Sequence, residues 1–272
     1  MASAGNANAS GGGAFGGDLV TLDHSTVDRN ALTARASGGY ANASGGGVNG
    51  ASVSATASTV SRNALVARAT DPQQAAVAGG GIAISAGGAN TITNSTVGLN
   101  RVTAISPKSG GTSMATGAGI EVDPDITSLV DDTIVGNVVS ITGGTRTVRG
   151  GGLYGGPGVT LLGTIIANNK APVGPDCYDG PRSKGHNLIG KTAGCSFTKK
   201  STDKINTSAR LGSLASNGGP TQTVGIKATS PAHNAIPPAS CPLHTDQRGV
   251  HRPQGPKCDI GAFELKPGEV VG

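Results

Sequence analysis

The octapeptide STVDRNAL at residues 25–32 is repeated almost unchanged as STVSRNAL at residues 58–65. The two copies start 33 residues apart and differ only where Asp28 is replaced by Ser61. Weaker copies follow: STVGLNRV at 95–102, DTIVGNVV at 132–139 and GTIIANNK at 163–170. Self-similarity at such a period is the signature of a repeat architecture, so these octapeptides decide the fold class.

A glycine-rich marker precedes each octapeptide. The markers are GGGA at 11–14, GGGV at 45–48, GGGI at 79–82, GAGI at 117–120 and GGGL at 150–153. Two independent markers therefore keep the same order through five units. The segment between each octapeptide and the next marker is variable, as insertions on one side of a solenoid are.

Three positions of the octapeptide are the same, or nearly so, in all five copies. The second is Thr, the third is Val or Ile, and the sixth is Asn. Neighbouring strand residues point to opposite faces, so we expect the Val/Ile column to face the core and the Thr column to face out. Asn favours turns, and its amide both donates and accepts. We therefore predict an asparagine ladder of Asn30, Asn63, Asn100, Asn137 and Asn168.

These repeats favour a parallel β-helix over other repeat folds. Their spacing of 31–38 residues is shorter than a four-stranded propeller blade of roughly 40–50 residues, and the leucine-rich pattern is absent. We predict an all-β fold, a right-handed parallel β-helix (solenoid) with about five coils and two or three short strands per coil. A loop-rich, disulfide-stapled C-terminal part follows it.

The composition agrees with a narrow repetitive core and excludes several partners. The chain has 46 Gly, three Tyr, three Phe and no Trp. Lys and Arg number 8 against 9 acidic residues in 1–169, and 13 against 7 in 170–272. No basic helix or stacking aromatic set accompanies this charge, so no nucleic acid partner is expected. No apolar run is long enough for a transmembrane segment, and residues 1–13 lack the pattern of a signal peptide.

The C-terminal third carries more specific motifs. They are GHNLIG at 185–190, LGSLASNGGPTQT at 211–223, SPAHNA at 230–235 and CPLHTDQRGVHRPQGPKCDIGAFE at 241–264. Residues 150–266 resemble the choice-of-anchor Q domain of bacterial surface proteins. The upstream repeats resemble those of β-helix proteins related to polymorphic outer-membrane proteins. One departure is SPAHNA, where His233 and Asn234 replace the acidic end of the usual SPAID-type segment.

The resemblance implies an exported β-helix that is attached to a bacterial cell surface or secreted. We divide the chain into repeats at 1–175, a choice-of-anchor Q-like region at 176–266 that continues and caps the β-helix, and a tail at 267–272. No catalytic residue is carried over. We expect a non-catalytic structural or adhesion protein, a monomer, whose partner is an extracellular polysaccharide or a host or cell-surface component.

Four cysteines fall as two local pairs. We favour Cys177–Cys195 and Cys241–Cys258, because each bridge closes one loop within one segment. Disulfides also suit an extracellular location. The alternative is a metal site, but there is no C-x-x-C, and the nearby histidines lack zinc spacing. We predict no metal and no cofactor.

The alternative function is a β-helix that binds or cleaves polysaccharide, as a lyase or a glycosidase. A glycosidase needs two carboxylates, and Asp131–Asp132 is an adjacent pair, although neighbours on a strand diverge. Their simpler interpretation is a charged strand edge. A lyase could use Arg101, Arg146 and Arg149. Candidate ligand-binding residues are the arginines that recur at matching columns of the first two coils: Arg29 with Arg62, and Arg35 with Arg68. The alternative is that these two arginine pairs are solvated side chains that bind no ligand.

Overall fold

The computed structural model describes residues 5–71, 73–85, 88–107, 109–123 and 126–272. These residues form an all-β parallel solenoid of about five turns, so the predicted fold class is confirmed. The strands are β1 Ala7–Ser10, β2 Ala14–Asp23, β3 Thr26–Asp28, β4 Ala31–Ala36, β5 Ala41–Ser44, β6 Val48–Thr56, β7 Thr59–Ser61, β8 Ala64–Ala69, β9 Gln74–Ala78, β10 Ile82–Ile84, β11 Asn90–Thr93, β12 Thr96–Gly98, β13 Arg101–Ile105, β14 Thr112–Thr116, β15 Ile120–Val122, β16 Thr127–Val130, β17 Thr133–Val135, β18 Val138–Thr142, β19 Thr145–Arg149, β20 Leu153–Tyr154, β21 Val159–Leu162, β22 Ile165–Ala167, β23 Cys177–Tyr178, β24 Arg182–Gly185, β25 Leu188–Ile189, β26 Lys204–Ile205, β27 Leu211–Ala215 and β28 Thr223–Ile226. One 3-10 helix, Pro238–Ser240, follows them.

Successive coils stack in register to give four parallel sheets. Sheet 1 has the order β1-β5-β9-β14-β19, and sheet 4 has the order β18-β13-β8-β4. Sheet 2 contains β2, β6, β10, β11, β15, β16, β20, β21, β23 and β24, and sheet 3 has the order β26-β25-β22-β17-β12-β7-β3. In the described residues each of the five coils contributes four or five strands. The expectation of two or three was therefore wrong, because tight corners divide each period into short pieces.

Three columns of left-handed residues form those corners. The first is the first glycine of each marker (Gly11, Gly45, Gly79, Gly117 and Gly150). Gly174 continues this column after the last marker. The second lies between sheets 2 and 3 (His24, Ala57, Asn94, Asp131 and Gly163). The third is the fifth residue of the octapeptide in the first four coils (Arg29, Arg62, Leu99 and Gly136) and Asn168 in the fifth coil. A residue with left-handed backbone turns the chain sharply, and this conformation carries a steric cost for residues other than glycine.

The Val/Ile column faces the core, as predicted. Val27, Val60, Val97 and Ile134 are in register, and all pack in or against one apolar cluster. A second cluster, rich in alanine, lies between sheets 1 and 4. Successive coils stack closely at the glycine markers: a Cβ at Gly46 would collide with the carbonyl oxygen of Gly80 in the next coil.

An asparagine ladder runs through the coils. The backbone N–H and the side-chain Nδ2 of each asparagine both donate to Oδ1 of the next, at 2.9–3.0 Å. Its members are Asn30, Asn63, Asn100, Asn137 and Asn169. The prediction of Asn168 was wrong. The fifth repeat is displaced by one residue, so Asn168 occupies the left-handed corner with φ 60° and is exposed.

The same displacement changes the other columns of the fifth repeat. Ile165 pairs with Thr133 and Ile166 pairs with Ile134, so the Thr column ends at Thr133. Thr164 instead joins a second ladder at the first octapeptide position, where the N–H of each residue donates to a side-chain oxygen in the next coil. That ladder is Ser25, Ser58, Ser95, Asp132 and Thr164.

Both ladders end in a carboxylate. Asn169 donates its N–H and Nδ2 to Asp176 Oδ1, at 3.0 Å each. Thr164 donates to Asn187, which in turn donates its N–H and Nδ2 to Asp203 Oδ1. A carboxylate that only accepts satisfies the last donors of a ladder without creating new ones.

The segment of residues 206–265, called here the lateral segment, covers the outer face of sheet 3. Thr59, Thr96 and Thr133 point away from the core, as predicted, but they are at most 1 % exposed because the lateral segment covers them. The Gln247 side chain donates to Thr59 Oγ1 at 2.9 Å and accepts from Thr96 Oγ1 at 2.6 Å. The Ala262 N–H donates to Thr133 Oγ1 at 3.1 Å.

Both predicted disulfides are present and no described cysteine is free. Cys177–Cys195 joins the last coils to the loop that follows them, and Cys241–Cys258 closes a loop of the lateral segment. By the loop-entropy model each contributes about 3 kcal/mol. The lateral segment also adds a third apolar cluster, in which Phe263 and Ile260 pack near Ile165.

The ladder assignment predicts different costs at two adjacent asparagines. Asn169→Ala should lower the free energy of unfolding by at least about 2 kcal/mol, because it leaves the buried N–H of Asn137 and one of its two Nδ2 hydrogens without an acceptor. The other Nδ2 hydrogen remains bonded to the Val97 carbonyl oxygen. Asn168→Gly should change it by less than about 0.5 kcal/mol, because Gly accepts the same left-handed backbone. Urea unfolding measures both, and equal losses would contradict the assignment.

Candidate functional site

The first predicted arginine pair is joined by an aspartate. Arg29 and Arg62 occupy left-handed corners of adjacent coils, and Asp28 lies between them. Its carboxylate accepts from Arg29 Nη1 at 2.6 Å, from Arg62 Nη1 at 3.2 Å and from Ser61 Oγ at 2.6 Å. Arg62 also donates to Gln222 of the lateral segment at 2.8 Å. The pair is therefore engaged within the chain, and Arg62 helps to fix the lateral segment.

The second predicted pair lies on the outer face of sheet 4. Arg35 and Arg68 are direct partners on β4 and β8, and both are exposed. Arg101 is on the next strand of the same sheet, but it is paired with Ala64, four residues from Arg68. The three cations are thus spread along the face and do not converge.

The two adjacent aspartates are buried, so their interpretation as a charged strand edge was wrong. Asp131 turns the corner with φ 52°, and Asp132 is a member of the serine ladder. Both are 0 % exposed. Burial raises the pKa of Asp131 to about 7, although nearby Arg252 acts to lower it and Glu264 raises it further. Burial also raises the pKa of Asp132 well above its ordinary value.

Asp131 lies near a buried ion pair of the lateral segment, because Arg252 and Glu264 both affect its pKa. Arg252 is 3.1 Å from Glu264, and Arg248 is 2.9 Å from Asp246. Arg248 also lies 3.6 Å from the ring centroid of Phe263. The contact between the solenoid and the lateral segment is therefore rich in titratable groups, and it offers no opening to a substrate at Asp131–Asp132.

Asp131 should make the protein less stable as the pH rises. Its folded pKa, about 7, lies above its ordinary value of 3.8, so the folded state holds a proton that the unfolded state loses. Its stabilising effect is complete below about pH 4 and declines up to about pH 7. Asp131→Asn should flatten the decline in Tm between about pH 4 and pH 7, and the exposed Asp18→Asn should not. Equal slopes in the two variants would contradict this.

A different set of side chains forms an outward-facing row along sheet 2. One outward register position runs through six coils, and we call it the aromatic row: Phe15, Asn49, Ala83, Glu121, Tyr154 and Tyr178. Its residues alternate with core residues such as Ile82 and Ile120, so they point away from the core. Corner glycines lie directly against it: a Cβ at Gly79 would be 2.6 Å from that of Ala83.

The two tyrosines of the aromatic row stack on each other. The ring centroids of Tyr154 and Tyr178 are 6.0 Å apart, with an interplanar angle of 30°. The guanidinium carbon of Arg149, from the end of sheet 1, lies 5.8 Å from the Tyr178 centroid. Offset stacking and a nearby cation both stabilise aromatic rings. Both tyrosines remain partly exposed.

Carboxyl groups surround this aromatic pair. Glu121 adjoins Tyr154 in register, and burial, followed by repulsion from Asp123, raises the pKa of Glu121 to about 7. A cavity of about 240 Å³ lies beside them. It is lined by Val122, Asp123, Tyr154, Gly156, Pro157, Gly158 and Asp179. The arrangement combines apolar ring faces, hydrogen-bond acceptors and one protonatable acid.

Sequence reasoning named Arg149 but missed Glu121, Tyr154 and Tyr178. A signal was present, because the aromatic row is the residue that directly follows each four-residue glycine marker. Extending the marker by one position would have aligned F, N, A, E and Y. What could not be read from sequence is that the coils stack closely enough for Tyr154 and Tyr178 to meet.

The residues that depart from the SPAID-type segment form a closed network. His233 Nδ1 is 3.1 Å from Asp259, and Asn234 Nδ2 is 2.8 Å from His233 Nε2. The Asn234 N–H also donates to Asp259, at 2.6 Å. Because both ring nitrogens are engaged, His233 holds the lateral segment together and presents no unoccupied nitrogen to a substrate.

No family model, no curated protein and no solved structure matches the chain. Within the described ranges, no helix has the length and apolarity needed to cross a membrane. The same ranges contain no group of three or more His, Cys, Asp or Glu residues arranged to hold a metal ion.

Proposed function

We propose that the chain is a non-catalytic structural or adhesion β-solenoid, secreted by or attached to the surface of a bacterial cell. The observation that carries the proposal is the pair of disulfides, since such bridges persist in oxidising compartments. The resemblance of residues 150–266 to the choice-of-anchor Q domain supports the same location. A right-handed solenoid and a monomeric state are part of this proposal.

A rigid rod suits this role. Two ladders link each coil to its neighbour, and the lateral segment contacts three successive coils at Thr59, Thr96 and Thr133. The partner would be an extracellular polysaccharide or a host or cell-surface component. The arginine columns remain candidates for this contact only at Arg35 and Arg68, because Arg29 and Arg62 already share Asp28.

The adhesion role predicts saturable binding to cell surfaces. Fluorescently labelled protein should bind intact bacterial or epithelial cells, and excess unlabelled protein should compete with it. Heat-unfolded, reduced protein is the control and should not compete. The absence of saturable binding to any cell type, together with free thiols in the protein isolated from its native host, would contradict the proposal.

The second candidate is a polysaccharide-cleaving β-helix, and the specific observation that favours it is Glu121. Glycoside hydrolysis uses one protonated and one ionised carboxyl group, and Glu121 with its raised pKa lies near Asp123.

Cleavage would release reducing ends or unsaturated products from neutral or uronate glycans. On this candidate, Glu121→Gln should lower the release at least about a hundredfold, because general acid catalysis contributes about 10²–10⁴-fold. The exposed Asp18→Asn should have no effect. If the wild type releases no product from any of these glycans, this candidate is removed and a binding or scaffolding role is left.

A further inference from the structure

The scarce aromatic residues are concentrated on one line of the surface. Only six are present in the chain, and Phe15, Tyr154 and Tyr178 share the aromatic row. Core packing does not explain this placement, because the row points away from the apolar cluster. Phe15 is 65 % exposed, which is costly for a large apolar side chain that has no partner.

The outward-facing row is buried in its middle and exposed toward its two ends. Asn49, Ala83 and Glu121 point outward yet are at most 9 % exposed. The left-handed glycines lie directly against this middle part, since a Cβ at Gly79 would be 2.6 Å from that of Ala83. Phe15 at one end and the Tyr154–Tyr178 stack at the other are therefore the parts of the row that a ligand can contact.

We propose that the aromatic row binds a neutral oligosaccharide that lies along the solenoid axis. A sugar ring has an apolar C–H face and a hydroxyl edge. Tyrosine offers the matching apolar face with a polar tip, and carboxylates accept hydrogen bonds from hydroxyl groups. The inference rests on the proposed adhesion function and names its ligand class.

The charges near the tyrosines favour a neutral ligand over an anionic one. Glu121, Asp123 and Asp179 surround the pair, and Arg149 is the cation in contact with it. A uronate would face these carboxylates at close range, where like charges repel. Single-stranded nucleic acid also stacks on aromatic rings, but its binding depends on cations that neutralise phosphates.

The spacing of the row sets a length requirement. Phe15 and Tyr154 are separated by four coil intervals, or about 19 Å at the strand spacing of a parallel sheet. Short oligosaccharides should therefore depend on the tyrosine pair alone. A ligand long enough to reach from the tyrosine pair to the other end of the row should also depend on Phe15.

Calorimetric titration with defined hexasaccharides tests the site. The probes are β-1,4-linked glucose, mannose and N-acetylglucosamine hexamers, with a hexamer of galacturonic acid as the anionic comparison. We expect at least one neutral hexamer to bind more tightly than the uronate. Removal of both rings in Tyr154→Ala/Tyr178→Ala should weaken binding at least about tenfold. Tyr40→Ala, at an exposed tyrosine outside the row, is the matched control and should bind as wild type does.

A second variant separates loss of the site from loss of the fold. Tyr154→Phe/Tyr178→Phe keeps the stacked rings and should retain most of the affinity, and Tm measurements should show that all variants are folded. Binding that survives removal of both rings would overturn the site. So would failure of all three neutral hexamers to bind, or a clear preference for the uronate.

The same variants distinguish this inference from the proposed function. Saturable cell binding that is unchanged in Tyr154→Ala/Tyr178→Ala would overturn the sugar site and leave adhesion standing. Loss of cell binding in that variant, with Tyr40→Ala unaffected, would support both. If cells are not bound at all while a neutral hexamer is, the sugar site stands and the adhesion role fails.

Discussion

In this solenoid, the corner hydrogen bonds hold the coils in register. At a left-handed corner the strand ladder is interrupted, and a backbone N–H there would be buried without a partner. Asn Oδ1 of the next coil accepts that N–H together with an amide hydrogen, which fixes the vertical position of both coils. The interval between rungs varies from 32 to 37 residues, so the extra residues must be absorbed elsewhere. They are divided between the segment from each asparagine to the next glycine corner and the segment from that corner to the next asparagine.

The sequence predicts the parts of the structure that follow from periodicity. The Val/Ile core column, most of the asparagine ladder and both disulfides could be read from spacing alone. The fifth coil could not, since GTIIANNK contains two asparagines and alignment by the first displaces every column by one. The pairing of Ile165 with Thr133 and the ladder bonds from Asn137 to Asn169 reveal the shift. A one-residue error of this kind exchanges core and surface positions.

Contacts between distant segments were beyond the reach of the repeat pattern. Thr59 and Thr96 have the outward direction that alternation predicts, yet Gln247 covers them from more than 150 residues away. The candidate site is a similar case. Tyr154 and Tyr178 belong to consecutive coils of unequal length, and the short return from Asn169 to Gly174 brings them together. Periodicity therefore predicts whether a strand residue points into or away from the core, but it does not predict which distant segment covers the outer face of a sheet.

The asparagine ladder is polar, and its polarity limits how such a chain can grow. Each rung donates downstream, and the series terminates at Asp176, which has no hydrogen to pass on. A coil inserted beyond Asp176 would meet the two carboxylate oxygens, which accept hydrogen bonds, and no side-chain donor. A coil inserted among the first rungs, in contrast, repeats a contact that already exists. The near-identical octapeptides at 25–32 and 58–65 lie where gene duplication can lengthen the rod without breaking a hydrogen bond.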